Sequence, residues 1–331
     1  MGTHRIPALS NGLRSGISPA VAGMSSRTIR AVGDAGAEPI SVIMAARNAQ
    51  RTIRSAVCSI LEQRYPAFEL VVVDDASTDR TGAIVESLGA ADGNGLVSLL
   101  RCDTRVGRSA ARNRAIALAQ HELIAVMDAD DFALPSRLAR SASMLASTPE
   151  LDGVGGQLVA MDAEHLLTLL PAPTQSAEIR AHLLDARMAL MHPTVLARRE
   201  VFQHGGGYRE DMSWCEDLEL FARAAHQFAF AASPDIWLLY RRPRRLAVRY
   251  AVPTEWYRAR IRFPGSAASD VVRRGADTVR GVGRTWWRER RNPLDRIDEP
   301  ASSEIASAFA RCRELDAIDA AGSATSRVAG D

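Results

Sequence analysis

Four apolar runs of strand length alternate with runs of helical spacing between residues 39 and 128, and few architectures accommodate that order. PISVIMAA (39–46), ELVVVD (69–74), GLVSLLRC (95–102) and ELIAVMD (122–128) read as buried strands. Between them, RTIRSAVCSILEQ (51–63) sets Ile53, Val57, Ile60 and Leu61 on one helical face. A second helix is expected over about 79–88, and SAARNRAIALAQ (109–120) reads as a third. Strands that recur with a helix in each connection form a largely parallel sheet covered on both faces.

Beyond Pro135 the alternation loosens. PSRLARSASMLAS (135–147) reads as a helix opened by its proline. GVGGQLVAM (153–161) predicts a strand, EDLELFARAAHQ (216–227) a helix and DIWLLY (235–240) a closing strand. Residues 1–38, rich in Gly, Ser, Ala and Arg without periodicity, read as disordered. After Tyr240 the composition shifts: residues 241–291 hold 15 arginines against 4 acidic residues, interleaved with Trp256, Tyr257, Phe263, Trp286 and Trp287. A boundary is expected near 245, leaving a main domain over 39–245 and a helical, Arg-rich extension over 246–331, with one helix near 302–315.

Bulk composition narrows the class. Of the 331 residues, 47% are hydrophobic and 24% charged, ordinary values for a soluble globular protein. The formal charge is +2, so overall charge selects no partner. Cys58, Cys102, Cys215 and Cys312 are scattered without CxxC spacing, as reduced thiols of a cytoplasmic protein would be. No apolar run reaches the roughly 18 residues of a spanning helix, and no apolar secretory core opens the chain.

Chemistry concentrates at strand ends. In an open α/β sheet, ligands bind outside the carboxyl ends of the strands. Asp74-Asp75 ends the second strand, and Asp128-Ala129-Asp130-Asp131 follows the fourth. Carboxylates so close repel each other unless something positive sits among them. A hard divalent cation, Mg²⁺ or Mn²⁺, suits such a cluster, because it commonly takes one or two carboxylates and completes its shell with phosphate oxygens. In an extended segment Asp128 and Asp130 share a side and Asp131 faces the other, so Asp130 could meet the metal while Asp128, with Ala129, contacts the sugar or ribose of a donor. The bland alternative is a solvated turn that caps the helix after Pro135. Neither GxGxxG nor GxxxxGK[ST] follows the first strand, where the turn is AARNAQRT, which argues against a nicotinamide enzyme and a P-loop nucleotidase.

Three longer blocks carry a resemblance. ISVIMAARNAQRTIRSAVCSILEQRYPAFELVVVDDASTDRT (40–81), GRSAARNRAIALAQHELIAVMDADDFALPSRL (107–138) and HPTVLARREVFQHGGGYREDMSWCEDLELFARA (192–224) resemble, in order, the opening, middle and acceptor blocks of family 2 glycosyltransferases. The resemblance covers about 40–245. It implies a GT-A fold, with a Rossmann-like nucleotide-sugar half (about 39–135), an acceptor half (about 136–245) and a mixed, mainly parallel sheet flanked by helices. It also implies inverting transfer from a nucleotide-diphosphate sugar to an acceptor hydroxyl. Residue by residue, Ala45, Arg47 and Asn48 would line the nucleotide pocket, and Asp75 would contact the base. Asp128-Ala129-Asp130 matches the DxD motif, with Asp130 the metal ligand. Glu216-Asp217 matches the catalytic pair, with Asp217 the base.

Chemical logic agrees with those roles. Inverting transfer needs a carboxylate opposite the leaving group, and a cation at the departing diphosphate. First-turn acids of a helix are the alternative for Glu216-Asp217. Arg112 reads either as a donor contact or as a surface arginine. His192, Gly205, Gly206, Gly207 and Trp214 are acceptor-side candidates, each with a packing or turn role as the alternative. Many relatives carry a histidine after the closing Tyr-Arg; here Pro243 stands in LLYRRPRRLAV (238–248), leaving Arg242, Arg244 or Arg245 for the diphosphate. A glycan or lipid-linked acceptor is expected. The basic aromatic tail suits peripheral contact with the inner face of a membrane, or a solvated helical appendage. No nucleic-acid motif accompanies its charge. Two other functions fit parts of the pattern: a non-catalytic sugar-nucleotide-binding or scaffold protein of the same fold, and a nucleotidyltransferase.

Overall fold

The computed structural model describes residues 36–162, 164–242, 257–258, 260–261 and 302–328. The expectation for residues 1–38 falls almost wholly outside these residues, as do the boundary near 245 and most of the basic aromatic tail.

The chain opens with β1 (Ile40–Ala46), α1 (Ile53–Leu61), β2 (Phe68–Asp74), α2 (Thr81–Asp92), β3 (Val97–Arg101), α3 (Arg108–Leu118) and β4 (Leu123–Asp128). These four strands are parallel, in the order β3-β2-β1-β4. β1 and β2 are buried along nearly their whole length, as expected of strands covered on both faces. The order reverses between β1 and β4, which creates a switch point where the loops after these two strands diverge. Register aligns the strand ends: Ala46 pairs with Asp74, and Ala45 with Asp128.

The second half adds β5 (Phe132–Ala133), α4 (Arg137–Ser147), β6 (Gly153–Met161), β7 (Leu166–Leu170), α5 (Ser176–Leu184), β8 (Leu196–Arg198), α6 (Arg199–Gln203), α7 (Glu216–Ala224) and β9 (Phe230–Arg241). The sheet runs on as β4-β8-β6-β9-β5, with β7 beside β6. β8 is antiparallel to both β4 and β6, so the sheet is mixed, mainly parallel in its first half. The expected strand at 153–161 matches β6; the closing strand is longer than DIWLLY, starting at Phe230. β5, β7, α5, β8 and α6 were not expected from the sequence. α4 starts two residues after Pro135, because the short strand β5 pairs with β9 just before it.

Side chains on opposite strand faces feed different cores. Val42 and Met44 of β1 pack with Ile53, Val57 and Ile60 of α1 and with Leu138 and Leu145 of α4. Ile43, Val71 and Val126 face the other way, onto Ala111 and Ala115 of α3, Leu183 of α5 and Leu220 and Phe221 of α7. A third cluster covers the far end of the sheet. There Ile305, Ala308, Cys312 and Leu315 of α8 (Ser303–Val328) pack on Phe132, Leu134, Met161 and Leu239. Their spacing of three and four residues is one helical stripe. Burying Ile305 and Leu315 contributes about 1.5–3 kcal/mol each. The four cysteines form no disulfide. Among the described residues, no helix is long and apolar enough to cross a membrane.

Candidate active site

Loops at the carboxyl ends of β1, β2 and β4 meet the start of α3 and the segment that leads into α7. The first two loops are laced together. Asn48, at φ 49°, takes the Thr78 amide on its Oδ1 at 2.9 Å, and its own amide donates to Ser77 Oγ at 2.9 Å. The Ala49 and Gln50 amides donate to Thr81 Oγ1 and Asp79 Oδ2 at 2.8 and 3.1 Å. Arg47 is exposed at the tip, and Ala45 is half-buried beside Asp128. Asp75 is buried, and its two oxygens accept the Val106 and Gly107 amides at 2.6 and 3.1 Å. Those two bonds fix the turn from which α3 starts.

The first acid of the cluster, Asp128, is paired with Arg112. This α3 residue is 5% exposed. Its Nη2 donates to Asp128 Oδ1 at 2.7 Å and its Nη1 to Glu216 Oε1 at 2.6 Å. One guanidinium thus joins an acid at the end of β4 to an acid at the start of α7, and it also lies 5.6 Å from the centre of the Tyr208 ring. Burial opposes its charge, but Asp128 and Glu216 outweigh that and raise its pKa. Burial likewise opposes ionisation of both acids; Arg112 overrides it and holds Asp128 well below the usual carboxylate range. Arg108, one helical turn earlier, adds a half-exposed cation 3.3 Å from Glu216.

His192 opens a 3₁₀ turn (His192–Thr194) and is buried. Its Nε2 shares a hydrogen bond of 2.8 Å with the Tyr208 hydroxyl, and its Nδ1 lies 4.0 Å from Asp128 Oδ2. The glycine loop is pinned from two sides. Asn113 of α3 takes the Tyr208 amide and donates to the Tyr208 carbonyl, both at 2.9 Å. Arg223 donates to the carbonyls of His204 and Gly207 and pairs with Glu219 at 3.0 Å. Gly207 has φ 86°, and a Cβ there would meet Asn113 Oδ1 at 2.6 Å. Cys215, a non-glycine residue at φ 57°, then turns the chain into α7, a strained conformation that sets the direction of Glu216 and Asp217. Asp217 is half-buried, and its Oδ1 accepts the Leu218 amide at 2.8 Å. Desolvation, followed by the Glu216 charge, leaves its pKa raised, although His192 opposes the shift. Trp214 is half-buried nearby in sequence, and Gly206 is exposed.

After β4 the three acids have different fates. Asp128 is held by Arg112. Asp131 is fully buried; its Oδ1 accepts the Arg241 amide at 2.9 Å and its Oδ2 has no hydrogen-bond partner. Asp130 is exposed, and among the described residues no cation lies in ion-pair contact with its carboxyl. Desolvation and then the Asp128 charge push its pKa up. Among the described residues no three His, Cys, Asp or Glu side chains converge as a metal cage. Arg242, half-buried, ends the described part of β9's exit, with its amide on the Met161 carbonyl at 2.8 Å; Arg244 and Arg245 lie outside the described residues.

Sequence reasoning brought most of this constellation into view but not its links. Tyr208, Asn113 and Arg223 were missed, although Tyr208 ends the GGGY loop. Arg108 and Arg112 stand four residues apart on α3, a spacing that places both on one face.

A mixed sheet whose first four strands are parallel, with a switch point at β1 and β4 and acids at the adjoining loop ends, matches the GT-A architecture. The family model for glycosyl transferase family 2 matches residues 41–205, and the chain belongs to that family. The succinoglycan biosynthesis protein ExoU of Rhizobium meliloti is 32% identical over 200 residues, 56% of this chain and 56% of ExoU. ExoO of the same organism is 36% identical over 196 residues, 56% and 55% of the two chains. The chain therefore spans a little over half the length of these curated relatives. Among solved structures, S. aureus TarS 1–349 in complex with UDP-GlcNAc superposes with a TM-score of 0.55 at 18% identity, over 83% of this chain and 79% of that one. Mannosyltransferase PcManGT of Pyrobaculum calidifontis, in complex with GDP-Man and Mn²⁺, gives 0.53 at 18% identity, over 91% and 79%. At that identity these likenesses speak for the fold.

Proposed function

We propose that this protein is an inverting glycosyltransferase that moves a sugar from a nucleotide-diphosphate sugar to an acceptor hydroxyl in the synthesis of a polysaccharide or glycolipid. The observation that carries the reading is the Arg112 link. It ties the motif that contains Asp130 to the helix start that contains Asp217, and both carboxyls have a raised pKa.

In this reading Asp217 accepts the proton of the acceptor hydroxyl as that oxygen attacks the anomeric carbon. The bond from carbon to the diphosphate oxygen breaks on the opposite face, and the nucleoside diphosphate leaves. A base in this role contributes roughly 10²–10⁴ in rate. Glu216, neutralised by Arg112 and Arg108, keeps α7 oriented instead of acting on substrate. Ala45, Arg47, Asn48 and Asp75 border the nucleotide; His192 and Tyr208 form the floor beneath Asp128; Gly206, Gly207 and Trp214 border the acceptor. Arg242 and Arg244 supply cations for the diphosphate in place of the histidine found in many relatives.

A divalent cation fits the donor side. Asp130 offers an exposed carboxyl with no ion-pair contact among the described residues, and Asp128 is already engaged by Arg112. Mg²⁺ or Mn²⁺ asks for few protein ligands when phosphates supply the rest. When bound, it would stabilise charge on the departing diphosphate. The succinoglycan relatives point to exopolysaccharide assembly, and the two structural neighbours are complexes with nucleotide sugars.

The test is a panel of UDP-, GDP- and dTDP-sugars with Mn²⁺, scored by binding calorimetry and by release of nucleoside diphosphate. Binding of one donor, strengthened by Mn²⁺ and made metal-independent by Asp130→Ala, is the expected result. Release of pyrophosphate, or no binding of any donor with or without metal, refutes the proposal.

A further inference from the structure

Arg241, the last residue of β9, sits between the Asp130 loop and α8. Its backbone amide donates to Asp131 Oδ1, and its Nε donates to the Asp130 carbonyl at 2.8 Å. Its other two nitrogens point away from the loop. Nη1 donates to Asp316 Oδ2 at 2.8 Å, and Nη2 lies 3.4 Å from Asp316 Oδ1 and 3.3 Å from both Ser55 Oγ and Cys312 Sγ. Ser55 of α1 closes the ring by donating to Asp316 Oδ1 at 2.7 Å. Asp316 and Arg241 have 25% and 20% of their side chains exposed, so the pair is largely shielded from solvent.

Two more bonds hold the same stretch of backbone. Thr52 Oγ1 donates to the Ala129 carbonyl at 3.0 Å, and the Ser136 amide donates to Glu304 Oε1 at 3.1 Å. Helix α8 therefore grips the 130–136 segment at both ends, at Ser136 through Glu304 and at Asp130 through Asp316 and Arg241. This helix lies outside the residues matched by the family model.

A site with one protein carboxylate for its cation depends on how that carboxylate is aimed. Asp128 and Asp131 cannot compensate, since Arg112 holds the first and the Arg241 amide holds the second in the interior. We propose that Asp316 is a positioning residue for the donor site: it locks Arg241, which fixes the Asp130 backbone and so aims the Asp130 carboxyl. This rests on the reading of Asp130 as the cation ligand.

Partners that orient a metal ligand typically change affinity by about 10–100-fold when removed. The test uses the full chain and its Asp316→Asn, Asp316→Glu, Asp130→Ala and Asp316→Asn/Asp130→Ala forms. Free Mn²⁺ is measured by electron paramagnetic resonance with UDP, GDP or dTDP present. Asp316→Asn should weaken Mn²⁺ binding by about 10-fold or more, leave metal-free nucleotide affinity unchanged, and speed hydrogen exchange at residues 129–131. Asp316→Glu should restore most of the loss. The double variant should bind Mn²⁺ no more weakly than Asp130→Ala alone, because both changes act on one ligand. Wild-type Mn²⁺ affinity in Asp316→Asn, or an equal loss with and without metal, overturns the inference while the cation reading stands. A wild-type chain that binds Mn²⁺ with none of the nucleotides overturns the cation reading, and this inference with it.

Discussion

Replacing Arg112 with methionine removes the charge that Asp128 and Glu216 share. The two ion pairs are 2.7 and 2.6 Å long, and Glu216 is buried. Breaking a buried pair by removing one partner costs about 3–5 kcal/mol, because the other charge stays behind unpaired. Here Asp128, partly exposed, loses its main counter-charge and Glu216 keeps only the exposed Arg108, so the lower part of that range is expected. Urea unfolding followed by circular dichroism at pH 7 measures it. The pH dependence separates this cause from simple loss of packing. In the wild type, Arg112 depresses both acids, so their contribution to stability is present above the unfolded-state values near 4 and is lost as pH falls through the depressed folded values. In Arg112→Met the largest lowering influence is gone while burial still opposes ionisation, so both acids move up from their wild-type values and the penalty shrinks as they protonate on acidification. The gap between variant and wild type should therefore narrow from pH 7 toward pH 4. Adding Glu216→Gln should recover at least about 1 kcal/mol, since the two sites couple directly. Strict additivity, or a loss below about 1 kcal/mol at pH 7, would refute the reasoning. If Arg112→Met does not fold, Arg112→Lys gives the same comparison, because a single ammonium cannot reach both acids as the forked guanidinium does.

Other outcomes follow from the site. Asp217→Asn should keep donor affinity and cut turnover by about 10²–10⁴; in the wild type, the raised Asp217 pKa places the acid limb of kcat above the ordinary carboxylate range, with activity falling as pH drops through it. An acid limb unchanged in Asp217→Asn would count against that assignment. Gly207→Ala meets both the φ of 86° and the Asn113 carboxamide, so a loss of about 1–3 kcal/mol is expected in thermal unfolding, partly relieved by Asn113→Ala.

The first half of the fold was legible because its physics is local. Strands β1, β2 and β4 are buried on both faces and read as unbroken apolar runs, and α1 between the first two carries its own apolar stripe. The second half depends on partners distant in sequence. β8 is three residues long and exists because β4 and β6 flank it. β9 begins at Phe230 because β6 supplies its hydrogen bonds from Gly153 onward. In the site, the acids declared themselves by their place at strand ends, whereas Arg112 on a polar helix looks solvated until Glu216, 104 residues away, covers it. Asp316 reaches Arg241 across 75 residues, with no local pattern to announce it.

The Arg112 link also limits how the molecule can open. α3 packs on the first, parallel part of the sheet and α7 lies in the second half of the chain, and a single side chain holds acids of both. A jaw-like swing of one half away from the other would strand three charges at once. Under the proposed function, substrate would then enter and leave by movement of the loops at the rim, with the two halves held together beneath them.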